Sequence, residues 1–346
     1  MFFKIGWAKI PCFANKKLIE QNLPAISIVV AVRNEEKNIP ILLQSLVNQT
    51  DNDFELIIIN DHSSDSTLAE IEKFRTAFKK IIVVNAKNSG KKLAVNQAVA
   101  VATGNLILTT DADCCPNENW VATIRNFQAV TDCDLLILPV LMIPENSYFS
   151  EIQQFEFSTL VASGAGAAGG GCPILCNAAN LAFKKTAYTR SQTDLHFEKQ
   201  SGDDIFLLES VKKNGGKIRF LKSENVVVQT NACNNLQEFF RQRRRWAGKA
   251  TAYSDKLLIF TALTVFFISV SEIITLILGI FFVKYLIVFL SIFLIKYIID
   301  LIFIQKIKNF FKLKHTIRHA FVLSLIYPLY ICVTAISAVF CNSRKW

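Results

Sequence analysis

Three long apolar stretches near the end of the sequence constrain the fold of this chain most strongly. The stretches are Leu258–Phe282, Leu286–Ile304 and Phe321–Cys341. Each is long enough to cross a bilayer as a helix, and Val283–Tyr285 leaves a short turn between the first two. We therefore expect about three transmembrane helices over 257–346, after a domain over 25–256 and an N-terminal segment over 1–24 that could form an interfacial helix.

The charges around these stretches predict how the chain is oriented. The loop between the second and third stretches is basic and contains Lys306, Lys308, Lys312, Lys314 and Arg318. The positive-inside rule places this loop in the cytoplasm, and the hairpin then places the preceding domain there too. Arg344 and Lys345 would lie outside, against the rule. We expect a multi-pass protein of the bacterial inner membrane, with its large domain on the cytoplasmic face.

The overall charge and the cysteines limit the partners and the compartment. The net charge is +10, and the basic runs lie beside apolar segments, without an aromatic-interleaved basic patch or a zinc finger. We therefore expect membrane lipids as partners and no nucleic acid. The nine cysteines are irregularly spaced, and Lys4 and Lys9 interrupt any N-terminal signal sequence. This combination predicts reduced thiols in the cytosol.

Strand-like and helix-like patterns alternate through the first part of the chain. The expected strands are Ile26–Val32, Phe54–Ile59, Ile81–Val84, Leu106–Thr109 and Leu135–Leu141. Continuous apolar strands separated by helical patterns predict an α/β fold, a mostly parallel sheet with helices on both faces. Ligands bind such sheets at the carboxyl ends of the strands. The polar loops after the first, second and fourth strands should therefore meet at one site.

Two carboxylates, Asp111 and Asp113, follow the fourth strand directly in LILTTDADCC. Alternate side chains at the end of a strand point the same way, so both carboxylates can face one cation. Hard oxygen ligands suit Mg²⁺ or Mn²⁺, which also bind substrate phosphates. The alternative is an Asp that caps the helix starting near Asn117. The pattern alone does not decide between these interpretations.

Five segments together resemble family 2 of the inverting glycosyltransferases, in the family's order. They are ISIVVAVRNEEKNI, IINDHSSDST, SGKKLAVNQAVAVATGNLILTTDADC, SGDDIFLLES and QRRRW, which matches Q-x-x-R-W. The resemblance covers about Ile26 to Trp246 and implies a GT-A fold that transfers sugar from a nucleoside diphosphate sugar, with a UDP-sugar as the expected donor. The last motif is similar to that of processive polysaccharide synthases and of ceramide glucosyltransferase-like enzymes.

The resemblance also implies roles for individual residues. It implies nucleotide binding by Arg33, Glu35, Asp61, Lys91 and Asp111, metal binding by Asp111 and Asp113, a general base at Asp204, and contact with the acceptor or the leaving diphosphate by Gln242, Arg245 and Trp246. Simpler interpretations remain for two segments. An acidic pair suits any helix N-terminus, and Arg243–Arg245 could contact lipid headgroups. Asn60, His62 and Asp203 depart from the family pattern, and His196 is a further candidate for the site.

The acceptor and the reaction class are less constrained. The glycine-rich SGAGAAGGG, Ser163–Gly171, fits either a flexible loop or a wall of an acceptor groove. Three helices are few for a polymer channel, so one sugar added to a lipid is the alternative to a growing glycan, unless a homo-oligomer or other membrane subunits complete a channel. A nucleotidyltransferase would need a Gly-rich phosphate loop where RNEEKN stands. A non-catalytic subunit that binds nucleotide sugar is the remaining class.

Overall fold

The computed structural model describes residues 1–14, 23–145, 147–199, 202–249 and 252–340. The α-helices are α1 (Phe2–Lys9), α2 (Ile39–Val47), α3 (Thr67–Glu72), α4 (Lys91–Val101), α5 (Trp120–Thr131), α6 (Tyr148–Gly169), α7 (Lys185–Arg190), α8 (Asp203–Lys213), α9 (Leu236–Ala247), α10 (Lys256–Phe281), α11 (Val283–Ile307) and α12 (Thr316–Phe340). The strands are β1 (Ile26–Val32), β2 (Phe54–Asn60), β3 (Ile81–Asn85), β4 (Leu106–Thr110), β5 (Cys114–Pro116), β6 (Leu135–Ile137), β7 (Val140–Ile143), β8 (Asn180–Lys184), β9 (Ile218–Phe220) and β10 (Val228–Asn231).

Within the described residues, the main sheet has seven strands in the order β3-β2-β1-β4-β8-β6-β9. The first four are parallel to one another, and β8 is antiparallel to both of its neighbours. The mostly parallel α/β sheet predicted from the sequence is therefore confirmed. Successive residues of β1 face opposite cores, because Val29 packs in one core while Ile28 and Val30 pack in the other. This explains why the strand is apolar throughout.

The predicted single strand Leu135–Leu141 is wrong. The structure divides this segment into β6, which joins the main sheet, and β7, which pairs with β10 in a smaller sheet. Pro139 lies between them and has no N–H to continue a ladder. Its carbonyl instead accepts hydrogen bonds from the Val228 N–H at 3.1 Å and from the Asn180 side chain at 2.7 Å.

The glycine-rich segment Ser163–Gly171 is largely helical, so the flexible-loop interpretation is wrong. It forms the last turns of α6, against which α1 packs. A Cβ built on Gly6 would lie 1.8 Å from the carbonyl oxygen of Gly166, and one on Gly166 would lie 2.2 Å from the carbonyl oxygen of Phe3. The small residues therefore allow two helix backbones to touch. Met1, Phe2 and Ile5 remain exposed on α1, and the part of the predicted interfacial helix beyond residue 14 lies partly outside the described residues.

Several predicted helices end elsewhere than expected. The pattern over Leu68–Phe78 predicts one helix, but α3 ends at Glu72 and a 3₁₀ turn follows at Arg75–Ala77. The basic helix expected over Leu236–Ala252 ends at Ala247. Predicted turn residues Val283–Tyr285 instead begin α11, and Phe282 alone separates it from α10.

Three helices of the described chain, α10, α11 and α12, are long and apolar enough to cross a membrane. Lys296 and Asp300 form an ion pair at 3.8 Å on α11. The basic loop between α11 and α12 packs on the large domain: Lys312 lies 3.3 Å from Glu224, and the rings of Phe311 and Trp7 are 5.9 Å apart. The loop and the domain therefore lie on the same side of the three helices, while Arg344 and Lys345 lie outside the described residues.

Candidate active site

A cavity of about 370 Å³ opens at the carboxyl ends of β1 and β4. Its lining consists mostly of charged and polar residues: Ala31, Arg33, Asn34, Glu35, Lys91, Asp111, Ala112, Asp113 and Arg245. The structure thus brings together six residues that the sequence analysis assigns to substrate or metal. Arg245 comes from α9, far along the chain from the strand ends, so this helix completes the lining of the cavity.

The two carboxylates after β4 both face this cavity. Lys91, in the first turn of α4, forms a salt bridge with Asp111. Burial lowers the pKa of Lys91, but the carboxylates of Asp111 and Asp203 outweigh burial and raise it. Desolvation by the surrounding protein, and then the Asp111 charge, raise the pKa of Asp113. One cation from the protein is therefore shared by two carboxylates that repel each other.

Asp111 and Asp113 fit a divalent cation that takes some of its ligands from the protein and others from a substrate. The hydroxyl of Thr230 donates to Asp113 at 3.4 Å, and the Lys91 ammonium pairs with Asp111. Among the described residues there is no cluster of three or more His, Cys, Asp or Glu side chains arranged to hold a metal. Mg²⁺ and Mn²⁺ commonly take one or two carboxylates and complete their shell with waters and phosphates. Asp111 and Asp113 supply that part of a shell.

Asp61, predicted to bind the nucleotide, is fully buried at the end of β2. One of its oxygens accepts the N–H of Gly90 at 2.9 Å and lies 3.7 Å from Arg33, and the other lies 3.0 Å from the His62 ring. Gly90 has a φ of 125°, which a residue with a side chain rarely adopts, and it precedes α4 directly. Asp61 therefore fixes the start of the helix that carries Lys91.

The departures from the family pattern at the end of β2 have a structural basis. His62 has a φ of 58°, in the left-handed region that glycine favours, and its ring is more than half exposed. Asn60 donates from its amide to the side chain of Asn85 at 2.9 Å and accepts the N–H of Ser63 at 3.1 Å. These contacts order the turn around Asp61 without a second carboxylate.

Asp204, the predicted general base, begins α8 beside Asp203. Lys249 Nζ lies 3.1 Å from one Asp204 oxygen, which also accepts the N–H of Ile205 at 2.8 Å. Burial alone would raise the pKa of Asp204, but the Lys249 charge and these hydrogen bonds lower it. Asp203 differs, because desolvation raises its pKa although Lys91 opposes that effect. Asp204 is not among the residues that line the 370 Å³ cavity, and Lys91 acts on both carboxylates.

The helix with the Q-x-x-R-W motif, α9, contacts the cavity on one face and packs against α6 on another. Arg245 lines the cavity, whereas Arg243 is 2% exposed and forms a buried salt bridge with Glu156 of α6. The Arg243 guanidinium lies 4.3 Å from the ring centre of Trp246 and donates to Gln242 at 3.0 Å. Gln242 and Trp246 thus contact Arg243 in this structure, and their contact with an acceptor stays a prediction.

Tyr330 of α12 extends the contacts of α9 to the three long apolar helices. Its hydroxyl donates to Glu156 at 3.4 Å, and its ring packs 5.5 Å from Phe239 of α9. The helix that carries Arg245 is therefore packed directly against one of the three long apolar helices.

Two lysines near the site, Lys249 and Lys92, were not predicted from the sequence. Lys249 lies within a basic run, and nothing in the run distinguishes it from its neighbours. Lys92 is buried and donates to the carbonyls of Leu195 and His196, at 3.1 and 2.9 Å. The His196 ring contacts exposed Glu198 at 3.0 Å and does not line the cavity. Lys91 and Lys92 are adjacent at the start of a helix. The sequence does not show that Lys92 binds backbone carbonyls whereas Lys91 binds a carboxylate.

Part of the sequence is similar to known glycosyltransferases. Residues 27–185 match the model of the family described as Glycosyl transferase family 2. An uncharacterized glycosyltransferase of Haemophilus influenzae is 31% identical over 113 residues, which are 32% of this chain and 35% of that protein. The beta-monoglucosyldiacylglycerol synthase of Trichormus variabilis is 36% identical over 103 residues, or 28% of this chain and 22% of that protein. The matches thus span about a third or less of these relatives' length.

A solved structure shares the fold over nearly the whole chain. The mannosyltransferase PcManGT from Pyrobaculum calidifontis, determined in complex with GDP-Man and Mn²⁺, aligns with a TM-score of 0.58 at 15% identity. The alignment covers 98% of this chain and 93% of that one. The fold is therefore the GT-A type that the sequence predicts. Residues 27–185 are therefore similar to glycosyl transferase family 2, and three long apolar helices follow them in the part of the chain that the structure describes.

Proposed function

We propose that this chain is a membrane-bound inverting glycosyltransferase that transfers a sugar from a nucleoside diphosphate sugar, with a UDP-sugar as the expected donor, to a growing glycan or a lipid. One observation carries the proposal. Two carboxylates, Asp111 and Asp113, face the same 370 Å³ cavity as Lys91 and Arg245. Cations and metal-binding oxygens around one cavity suit a diphosphate, whose negative charge increases as the sugar departs.

The cationic side chains would hold the leaving diphosphate. Arg245 presents a fixed fork of donors that fits phosphate oxygens, and Lys91 adds a compact positive charge from the first turn of α4. Arg33 and Glu35, in the loop after β1, would contact the nucleotide beside them. Asp111 and Asp113 would hold Mg²⁺ or Mn²⁺, which supplies charge stabilisation for the diphosphate when bound.

Asp204 would accept the proton of the attacking hydroxyl on the opposite side of the sugar. Direct inversion needs a base on the attacking side, separate from the groups that bind the leaving group. Asp204 meets the second requirement, because it lies on α8 and its ion-pair partner is Lys249 rather than Lys91. Lys249 keeps Asp204 ionised before the acceptor arrives. Asp204 gains a proton as the hydroxyl attacks, so the ion pair must loosen during the step.

The acceptor would approach from the membrane side of the domain. The helix α9 carries Arg245 on one face and packs against α6 and α12 on the other. A lipid acceptor fits this position, and the relative from Trichormus variabilis is named as a synthase of a glycolipid. Transfer of one sugar to a lipid is therefore the second candidate, beside extension of a glycan.

The test is turnover of a panel of nucleotide sugars by membranes that contain the full chain, with Mn²⁺ or with EDTA, followed by sizing of the product. A long glycan or a lipid with one sugar would separate the two acceptor candidates. Asp204→Asn should abolish turnover and leave nucleotide binding in place. Tight nucleotide binding without turnover of any donor would contradict the proposal and favour a non-catalytic subunit.

A further inference from the structure

A second concave surface lies between α11 and the start of α12. This groove has a volume of about 660 Å³. It is lined by Tyr297, His315, Thr316, Ile317, Arg318 and Phe321, none of which takes part in the candidate active site. The Tyr297 and Phe321 rings meet edge to face with their centres 6.0 Å apart, and the Tyr297 hydroxyl donates to the Ile317 carbonyl at 3.3 Å. Aromatic contacts thus fix the shape of this groove.

Two basic side chains of the groove, Arg318 and His315, have no anionic partner among the residues that the structure describes. The Arg318 guanidinium lies 4.5 Å from the ring centre of Tyr148, and it has no hydrogen bond or ion pair within the described chain. The His315 ring contacts the neighbouring His319 edge to face, and among the described residues its nitrogens have no hydrogen bond. His319 differs, because it is buried and lies 3.2 Å from Glu151. The groove therefore presents donors that the protein itself does not use.

The turn that leads into α12 and carries His315 has an unfavourable backbone conformation. Lys312 and His315 have φ angles of 52° and 48°, in the left-handed region that residues with side chains seldom occupy. Phe311 is 1% exposed, and the N–H of Leu313 donates to the Lys308 carbonyl at 2.9 Å. Packing of this turn against the domain keeps the backbone in place. The packed turn thus positions His315 and the start of α12, the helix that carries Arg318.

The groove also combines charge with exposed apolar surface. Ile317 and Phe321 are 65% and 47% exposed, and both lie with Arg318 on the first turns of α12. Both α11 and α12 are candidate membrane spans, and the groove lies at the end where the basic loop joins them. An amphiphile with an anionic head matches this combination better than a soluble anion, because a soluble anion would leave the apolar residues uncovered.

We propose that this groove binds an anionic phospholipid. Arg318 and His315 would donate to the lipid phosphate, with the Thr316 hydroxyl beside them. Phe321 and Ile317 would contact the acyl chains. The planar fork of Arg318 donors can bind two phosphate oxygens at once, while the Tyr148 ring packs against the guanidinium. This proposal does not depend on the proposed transferase activity.

The test titrates the detergent-solubilised full chain with phosphatidylglycerol and, separately, with phosphatidylcholine, and measures bound lipid by native mass spectrometry. We expect tighter binding of phosphatidylglycerol and a loss of about tenfold in that affinity for Arg318→Gln. The matched control is Lys284→Gln, since Lys284 also lies over a tyrosine ring, at 5.1 Å, but at the opposite end of α11. The control should bind phosphatidylglycerol as the unaltered chain does.

Three outcomes would overturn the proposal. Equal losses in Arg318→Gln and Lys284→Gln would show a diffuse charge effect, and no loss in Arg318→Gln would exclude the groove. Displacement of phosphatidylglycerol by inorganic phosphate at equal concentration would make this a site for a soluble anion. If Arg318→Gln does not fold, Phe321→Ala provides the test, because it should weaken lipid binding while all the cations remain.

Discussion

Lys249 Nζ lies 3.1 Å from an Asp204 carboxylate oxygen, and each of these side chains is less than one-eighth exposed. The pair joins the start of α8, which lies in one motif of the family pattern, to the residues that follow α9, which lie in none. It lowers the pKa of the carboxylate against the effect of burial. The group proposed to take a proton is therefore kept charged by a residue outside every recognised motif.

Replacing this lysine should change the pH dependence of the reaction. In Lys249→Met, burial is no longer opposed by the ammonium, so the pKa of Asp204 rises. The deprotonated form is the active one, and the acid limb of the kcat/KM profile should move to higher pH. The measurement is that profile for the full chain with its best donor, and Lys213→Met, an exposed lysine on α8, serves as the control. An unchanged acid limb in Lys249→Met would argue against Asp204 as the base.

Removal of one carboxylate from the cavity should weaken the binding of the divalent metal. In Asp113→Asn, the Mn²⁺ concentration needed for half-maximal turnover should rise at least about tenfold. Loss of a residue that only supports a metal ligand already lowers metal affinity by about 10- to 100-fold. Calorimetry of UDP binding with and without Mn²⁺ gives a readout independent of turnover. Glu118→Gln, which changes an exposed carboxylate after β5 that does not line the cavity, should leave both values unchanged. Equal Mn²⁺ dependence in the two variants would contradict metal binding by Asp113.

The buried pair of Arg243 and Glu156 should matter for stability. Glu156→Gln leaves the guanidinium in a buried site without its carboxylate, which typically costs roughly 3–5 kcal/mol. We expect a lower unfolding temperature in detergent and a raised KM for the donor, since Arg245 is on the same helix. Glu151→Gln is the matched control, because Glu151 is on α6 too and contacts α12 through His319, but is 43% exposed. Similar unfolding temperatures for both variants would contradict this account.

The contact between α1 and α6 should tolerate no added methyl group. Gly6→Ala places a Cβ 1.8 Å from a backbone oxygen, so the helices must separate. Overpacking of this kind costs about 1–3 kcal/mol, which should appear as a lower unfolding temperature. Gly248→Ala is the control, because its Cβ would meet no described atom closer than 3.3 Å. A Gly6→Ala protein as stable as the control would show that the helices are not in close contact.

The sequence predicted those features that depend on local pattern. Apolar runs identify β1, β2 and β4, and the position of Asp111 and Asp113 directly after β4 places them at a carboxyl edge. Features that depend on packing between distant segments were not predictable. The helical form of Ser163–Gly171 depends on α1 lying against it, and glycine-rich sequence by itself disfavours a helix.

The same limit applies within the candidate site. Arg245 and Lys91 were predicted from motifs, and both line the cavity. The partner of Asp204 was not, because Lys249 is one cation in a run of several and only the fold selects it. Likewise, the Q-x-x-R-W pattern does not show that Arg243 is buried and pairs with Glu156 of α6.

The packing of α9 between the cavity and α12 has a mechanical consequence. Tyr330 donates to the same carboxylate that pairs with Arg243, so α12 and α9 share one acceptor on α6. A change in the tilt of α12, as a thinner or thicker bilayer imposes, must either break that hydrogen bond or carry α9 with it. If α12 spans a bilayer, we therefore expect the distance between Arg245 and the carboxylates across the cavity to change with bilayer thickness.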